Sequence, residues 1–175
     1  EYMSWSRAER LRYRISRHPL VMFGLGPIYL FGLKHRYPYD IPDHWKKAWK
    51  SVWGTNVAIF AAVVLGGTLV GYQRFFLIQI PIQFAASSLG IWMFYVQHQF
   101  EHTYWHSHEN WDYYDASLYG SSYLVLPKVL QWMTSSIGVH HVHHMSARIP
   151  NYKLQQVHDE NPEFHGVTKV SFKDT

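Results

Sequence analysis

Histidine is the residue type with the most chemical potential in this chain, and it is concentrated in the C-terminal half. Ten of the 13 histidines lie between residues 98 and 165. In the run Gly138-Val139-His140-His141-Val142-His143-His144, helical spacing places His140, His143 and His144 on one face. His141 lies about 100° round from His140. Three neutral imidazoles on one face can bind a divalent metal; a solvated histidine-rich loop is the alternative.

His98 is a second candidate ligand, because it follows directly after a long uncharged segment. Glu101, one turn on, could accept the other ring N–H of a ligating histidine; an ordinary interfacial histidine is the alternative. His102, His106 and His108 continue the pattern. They are explained equally well by a wet amphipathic helix, and we do not assign them as ligands. The carboxylates that follow are assigned to a solvated loop or a supporting role: Glu109, Asp112 and Asp115.

Composition excludes several other chemistries. The chain has no cysteine, so disulfides, thiolate metal sites and cysteine nucleophiles are absent. Charged residues make up only 16%, which argues against nucleic-acid binding despite a net charge of +4. There is no phosphate-binding glycine loop, nucleotide fingerprint or serine-nucleophile elbow. His, Asp and Glu remain as possible metal ligands, a set that suits iron, zinc, copper or manganese.

The elements that position these histidines include two long uncharged runs. Residues 51–73 and 75–97 each contain 23 residues without a charge, separated by Arg74. Each run is long enough to cross a bilayer, and neither shows a recurring polar face, which disfavours two buried helices of a soluble protein. The sequence therefore predicts an all-α membrane protein with an antiparallel transmembrane hairpin.

The charges predict an orientation for this hairpin. Ten basic residues precede it, and only Arg74 lies in its turn, so the positive-inside rule places both ends in the cytoplasm. Residues 19–33 are uncharged but short, and an interfacial or re-entrant helix fits them best. We therefore expect three parts: a cytoplasmic and interfacial segment (1–50), the hairpin (51–97) and a cytoplasmic helical, histidine-rich, metal-binding cap (98–175).

At these motifs the chain resembles the membrane fatty acid desaturases, a family of histidine-box di-iron enzymes, in particular its bacterial acyl desaturases. The resemblance covers nearly the whole chain. It rests on Arg17-His18-Pro19-Leu20, the segment from Phe94 to Trp105, Gly120-Ser121-Ser122-Tyr123, His140-x-x-His143-His144, and Arg148-Ile149-Pro150-Asn151-Tyr152.

The resemblance implies a set of roles. His140, His143 and His144 match the third histidine box and would be iron ligands, and His98 would be the additional histidine near the final span. Glu101 and His141 would support them. The first two boxes of the family are absent, and His18, His35 and His44 lack the paired spacing to replace them. We therefore expect this chain to be the C-terminal half of a desaturase, inactive alone.

The resemblance also implies an activity: oxygen-dependent insertion of a double bond into a lipid acyl chain, at two iron ions. The substrate would be a membrane lipid or acyl thioester, the electron donor a ferredoxin- or cytochrome-type protein, and the location the bacterial inner membrane. Basic residues such as Arg12, Arg14, Lys46 and Lys47 could bind an acidic donor or lipid headgroups, but simple membrane anchoring explains them better. The alternatives are a related histidine-box hydroxylase or ketolase, and a non-catalytic membrane metal-binding protein; spans free of ionisable residues count against transport.

Overall fold

The structure, a computed structural model, describes residues 2–174. The chain forms two compact units, one up to Trp92 and one from Met93 onward. Helix dominates both units, as expected for an all-α membrane protein. The regular helices of the first unit are α1 (Arg7–Ser16), α2 (Lys46–Val70) and α3 (Tyr72–His98), and α3 continues into the second unit.

Two long helices confirm the predicted transmembrane hairpin, although their ends differ from the predicted ones. Both α2, with 25 residues, and α3, with 27, are long and apolar enough to cross a membrane. Their bounds differ from the uncharged runs, because α2 begins at Lys46 and Arg74 lies in the first turn of α3. Because helical hydrogen bonding continues through charged residues, the positions of charges indicate where the membrane-spanning part ends but not where the helix ends.

Gly71 is the single residue between α2 and α3. Its φ of +88° lies in a region that side-chain-bearing residues rarely adopt. Gly54 lies within α2, where an added Cβ would meet nothing within 4 Å. The two glycines therefore offer a matched comparison between a strained and an unstrained position.

We expect Gly71→Ala to destabilise the hairpin by about 1–3 kcal/mol, because alanine must adopt the strained backbone of the link. Gly54→Ala should be neutral or stabilising by up to about 1 kcal/mol, since alanine is the better helix former. Unfolding of the detergent-solubilised protein in a denaturant series, followed by circular dichroism, measures both changes. Equal stability of the two variants would contradict the role of Gly71.

The segment before α2 is helical but irregular. Wide helical turns cover Leu20–Leu25 and Ile28–Leu33, and 3₁₀ turns cover Tyr2–Ser4 and Lys34–Arg36. Gly26 N–H bonds to the carbonyl of Val21, five residues back, in keeping with π-type turns. Ser88 Oγ donates to the Phe23 carbonyl at 2.7 Å and attaches this segment to α3. The segment predicted as interfacial or re-entrant is therefore helical and packs against the hairpin.

The second unit is a small helical cap. Its helices are α4 (Tyr113–Tyr119), α5 (Lys128–Met133), α6 (His140–Met145) and α7 (Asn151–Glu160), with 3₁₀ turns at His108–Asn110, Pro162–Gly166 and Phe172–Asp174. Strands β1 (Tyr123–Val125) and β2 (Lys169–Ser171) pair in parallel, with Leu124 opposite Val170. The core of the cap is formed by six buried side chains: Leu118, Val139, Val142, Leu154, Phe164 and Val167. This core holds one face of α6, so the opposite face is available to carry the histidines.

Candidate metal centre

Three imidazoles of the cap converge on one point. Nε2 of His144 lies 3.1 Å from Nε2 of His98 and 3.1 Å from Nε2 of His140. One ligand nitrogen from each of the three residues lies within 4.8 Å of the others, and residues 2–174 contain one such group. His140 is buried, His98 is half-buried and His144 is exposed, so the cluster is accessible from one side.

The orientation of His98 follows from a hydrogen bond along α3. Its Nδ1 lies 2.8 Å from the carbonyl oxygen of Phe94, one turn earlier. A carbonyl oxygen can only accept, so Nδ1 carries the proton and donates it. In the neutral ring, Nε2 then presents its lone pair to the cluster. A backbone carbonyl thus fixes the tautomer that a metal ligand needs.

Neighbouring elements hold the two ends of α6. Tyr113, at the start of α4, donates its hydroxyl to the carbonyls of His144 and Met145, both at 2.9 Å. At the other end, the side-chain amide of Gln97 donates to the carbonyl of Ile137 at 2.7 Å. Gln97 directly precedes His98, and Ile137 lies three residues before His140. This bond therefore sets how close His98 lies to α6.

The environment of His140 and His144 favours their neutral forms. Burial, reinforced by the neighbouring imidazoles of His144 and His98, lowers the pKa of His140 from 6.5 to about 3. Desolvation, together with His98 and His143, also lowers the pKa of His144. Neutral imidazoles have free lone pairs at pH 7, and metal ligation requires these.

The arrangement fits a first-row divalent ion. Nitrogen ligands at roughly 2.0–2.1 Å from one metal, at right angles to one another, are separated by about 3 Å. The two Nε2–Nε2 distances of 3.1 Å are close to this separation. Three nitrogen donors approaching from one side leave positions for exogenous ligands, as in non-haem iron sites that bind oxygen. The donor set therefore fits a bound iron ion, with two nitrogen pairs at the spacing of neighbouring ligands and the third pair within 4.8 Å.

The structure separates the predicted ligands into two sets. His98, His140 and His144 come together, whereas the ring of His143 stacks beside that of His140, with centroids 5.6 Å apart. His143 thus lies next to the cluster and outside its three-nitrogen group, and its assignment as a ligand stays a prediction. Glu101 is exposed in the turn after α3, and its supporting role likewise stays a prediction. The histidines that we left unassigned, His102, His106 and His108, are exposed.

His141 faces away from the cluster, into the cap. It is fully buried, and its Nε2 lies 2.9 Å from Nδ1 of His158 on α7. His158 is also buried and packs beside His165, with ring centroids 5.2 Å apart. The helical period that separates His141 from His140 thus produces a second, internal histidine pair behind the cluster.

Sequence reasoning missed Gln97, Tyr113 and Ser117 as supporting residues. Ser117 Oγ lies 3.4 Å from the His144 carbonyl and donates to the Tyr113 carbonyl at 2.8 Å. Gln97 carries one available signal, because it is a polar amide next to His98 at the end of an apolar run. Such a residue needs a buried partner, but the sequence does not reveal which one.

The buried pair His141–His158 predicts acid sensitivity of the cap. Burial lowers the pKa of His141 from 6.5 to about 3, and burial with the neighbouring His165 lowers the pKa of His158. Between pH 6.5 and 3 the unfolded chain therefore binds more protons than the folded chain. Each such histidine should reduce the free energy of unfolding by up to about 1.4 kcal/mol per pH unit of acidification below 6.5.

Thermal unfolding of the metal-free protein at pH 7.5 and 5.0, followed by tryptophan fluorescence, measures this effect. We expect a lower midpoint at pH 5.0 for the wild type and a smaller pH difference for His141→Gln. The exposed His106→Gln serves as the control and should retain the wild-type difference. If His141→Gln kept the full pH dependence, the pair would not be its source.

Comparison with known proteins adds to these observations. The sequence pattern of the fatty acid desaturases matches residues 1–173. The chain belongs to the fatty acid desaturase family. A curated fatty acid desaturase from Bacillus subtilis (strain 168) is 42% identical over 173 residues, covering 99% of this chain and 49% of that protein. The chain thus spans about half the length of the curated relative it matches, and no solved structure matches it.

Membership of the desaturase family confirms the resemblance drawn from the motifs around His98 and His140. In a chain of this family, a cluster of imidazoles at the end of an apolar helix is a candidate metal centre. The cluster is seen in the interatomic distances and the family in the sequence match.

Proposed function

We propose that this chain forms part of an oxygen-dependent fatty acyl desaturase that introduces a double bond into a lipid acyl chain. The observation that carries the proposal is the cluster of His98, His140 and His144 nitrogens, open on one side, in a chain of the desaturase family. The proposed reaction consumes O₂, two electrons and two protons, and converts adjacent methylenes to an alkene with release of two waters.

In this proposal the residues of the chain hold and orient a non-haem di-iron centre. That centre, when bound, supplies with O₂ the oxidant that an unactivated methylene requires and that no side chain provides. His98, His140 and His144 would hold one iron, and His143 would contribute to the second. Two irons need more donors than these four, so the proposed centre includes further ligands. Electrons would come from a ferredoxin- or cytochrome-type protein.

The chain's own side chains would contribute fixed geometry. Phe94 O holds the His98 ring in one tautomer, and the buried side of α6 holds His140 against the cap core. Glu101 and His141 would act behind the ligands. Preorganised ligands avoid rearrangement when the metal binds, which is why supporting partners affect metal affinity by about 10- to 100-fold.

We also propose that the hairpin lies in a bacterial inner membrane with the cap facing the cytoplasm, since ten basic residues precede the hairpin and only Arg74 lies in its turn. Reporter tags placed just before Lys46, where α2 begins, and at the C-terminal end should both report the cytoplasm, and a tag beside Arg74 the outside. A C-terminal tag on the outside would contradict this orientation.

Fatty-acid methyl-ester profiling of a host that expresses the full-length protein tests the activity. We expect new monounsaturated acids that disappear in the double variant His140→Ala/His144→Ala. Hydroxylated products would instead support a histidine-box hydroxylase. Bound iron without a change in any lipid would support the non-catalytic metal-binding alternative and overturn the proposal.

A further inference from the structure

A groove in the first unit combines an apolar wall with one cationic end. The groove has a volume of about 760 Å³ and lies between the wide helical segment before α2 and the two hairpin helices. Its wall is mainly apolar, with the side chains of Phe31, Ile59, Val63, Phe75, Ile80 and Phe84. Arg36 is the one charged side chain among the residues that line it.

Within residues 2–174, the hydrogen bonds of the Arg36 side chain go to a neutral amide and not to a carboxylate. Its Nη1 donates to Asn56 Oδ1 at 3.1 Å, and Asn56 Nδ2 donates to the Arg36 carbonyl at 2.6 Å. Its Nε is buried and has no hydrogen-bond partner among residues 2–174. A neutral amide orients the guanidinium without neutralising it, so the fork retains donors suited to a phosphate or carboxylate.

The position of Asn56 along α2 gives the depth of this charge. Asn56 is six residues after Lys50, about 9 Å along the helix axis, and 14 residues before Val70, about 21 Å. The 20 residues from Lys50 to Val70 would just span a hydrocarbon core of roughly 30 Å, so Arg36, at the level of Asn56, lies about 9 Å inside the core on the basic side. An ionisable residue at such a depth requires a partner.

The length and polarity of the groove fit one acyl chain. The α3 residues that line it extend from Phe75 to Ser87, about 18 Å of helix. Its polar side chains include Gln83, whose amide already donates to Ser87 Oγ at 3.1 Å within the same helix. The hydrogen bond between Gln83 and Ser87 therefore forms within α3 and needs no partner on a second helix.

The surroundings of the charged end favour a negatively charged lipid. Residues 34–50 contain five basic and two acidic side chains, a net charge of +3. Clusters of basic residues at a membrane boundary attract anionic headgroups. We propose that the groove binds one acyl chain of an anionic phospholipid, with the headgroup phosphate on Arg36.

Lipid binding to the delipidated full-length protein in detergent tests this proposal, with dioleoyl phosphatidylglycerol as the probe and native mass spectrometry as the readout. The wild type should bind one molecule in preference to phosphatidylcholine and to oleate. Arg36→Gln should weaken binding by about tenfold or more, because a charge-assisted bond to the phosphate is lost. Lys34→Gln removes the same charge from the same 3₁₀ turn and should have little effect.

Val63→Trp gives an independent test, since the larger side chain occupies the acyl-chain position and leaves Arg36 intact. It should also reduce binding of the probe. Equal binding by wild type, Arg36→Gln and Val63→Trp would overturn the proposal, as would tighter binding of oleate than of phosphatidylglycerol.

The absence of cysteine in the chain allows one further measurement. Ala62→Cys, in a full-length protein with any cysteine outside residues 1–175 replaced by serine, places a single thiol among the residues that line the groove. Efficient disulfide crosslinking of two copies in native membranes would show that a second copy covers the groove and would overturn the lipid assignment. A monomeric product that becomes labelled by a thiol-reactive lipid analogue is the supporting result.

Discussion

Replacing His144 with alanine should abolish desaturation and remove most of the bound iron from the full-length enzyme. His144 is the central member of the cluster, because its Nε2 lies 3.1 Å from the Nε2 atoms of both His98 and His140. Loss of this ligand should reduce product formation by at least 100-fold, a larger effect than the roughly 10- to 100-fold typical of supporting partners.

Iron content per protein and methyl-ester profiles of the host measure this effect, with the exposed His106→Ala as the matched histidine control. His143→Ala should also abolish desaturation if it ligates the second iron, but it should leave more iron bound than His144→Ala. His141→Ala should do less than either ligand variant. Full activity in His144→Ala would remove the cluster from the proposed centre.

Replacing Gln97 with methionine should lower iron affinity without removing a ligand. The buried Gln97 amide donates to the Ile137 carbonyl, and the Gln97 carbonyl accepts from Ser122 N–H at 3.0 Å. Methionine keeps the shape and the backbone bond but leaves the Ile137 carbonyl unpaired, at a cost of about 1–3 kcal/mol. His98 then loses its fixed distance from α6, and we expect iron to bind about 10- to 100-fold more weakly.

Iron titration of the metal-free protein measures this change, and added iron should restore part of the activity of Gln97→Met. That recovery distinguishes a positioning role from the loss of a ligand, since His144→Ala should not recover. Gln73→Met, at the exposed beginning of the same helix, is the matched control and should titrate as wild type. Unchanged affinity in Gln97→Met would show that the Ile137 bond does not position the cluster.

Much of the fold follows from local sequence features. The uncharged runs predict the hairpin because a bilayer imposes a length and excludes charge. The runs did not predict the helix ends, since α2 begins at Lys46 within charged sequence and only one residue, Gly71, separates α2 from α3. The short apolar segment before α2, with its prolines and glycines, predicted an interfacial or re-entrant helix. Its wide turns were not predicted, because they depend on which carbonyl each backbone N–H bonds to.

The candidate site, like the fold, was predicted from the sequence only in part. Helical period predicted His140, His143 and His144 on one face and His141 apart, because a four-residue step returns within about 40° of the starting direction and a one-residue step turns by about 100°. A three-residue step falls about 60° short of a full turn on the other side, so His143 and His144 diverge by about 100°. His98 approaches α6 on the face that carries His144 and His140. The helical period of the sequence could not predict which face of α6 His98 would contact.

The sequence by itself determined the histidine-rich character of the candidate site, the two helices long enough to span a membrane and the family, because these depend on composition, run length and local spacing. Only the tertiary structure brought His98 to a position 3.1 Å from His144, 46 residues later. That contact depends on the buried bond from Gln97 to Ile137 and on the cap core behind α6, including Val139 and Val142. Contacts between distant segments form only where packing and hydrogen bonds offset the entropy of closing the loop between them, and no local pattern encodes that balance.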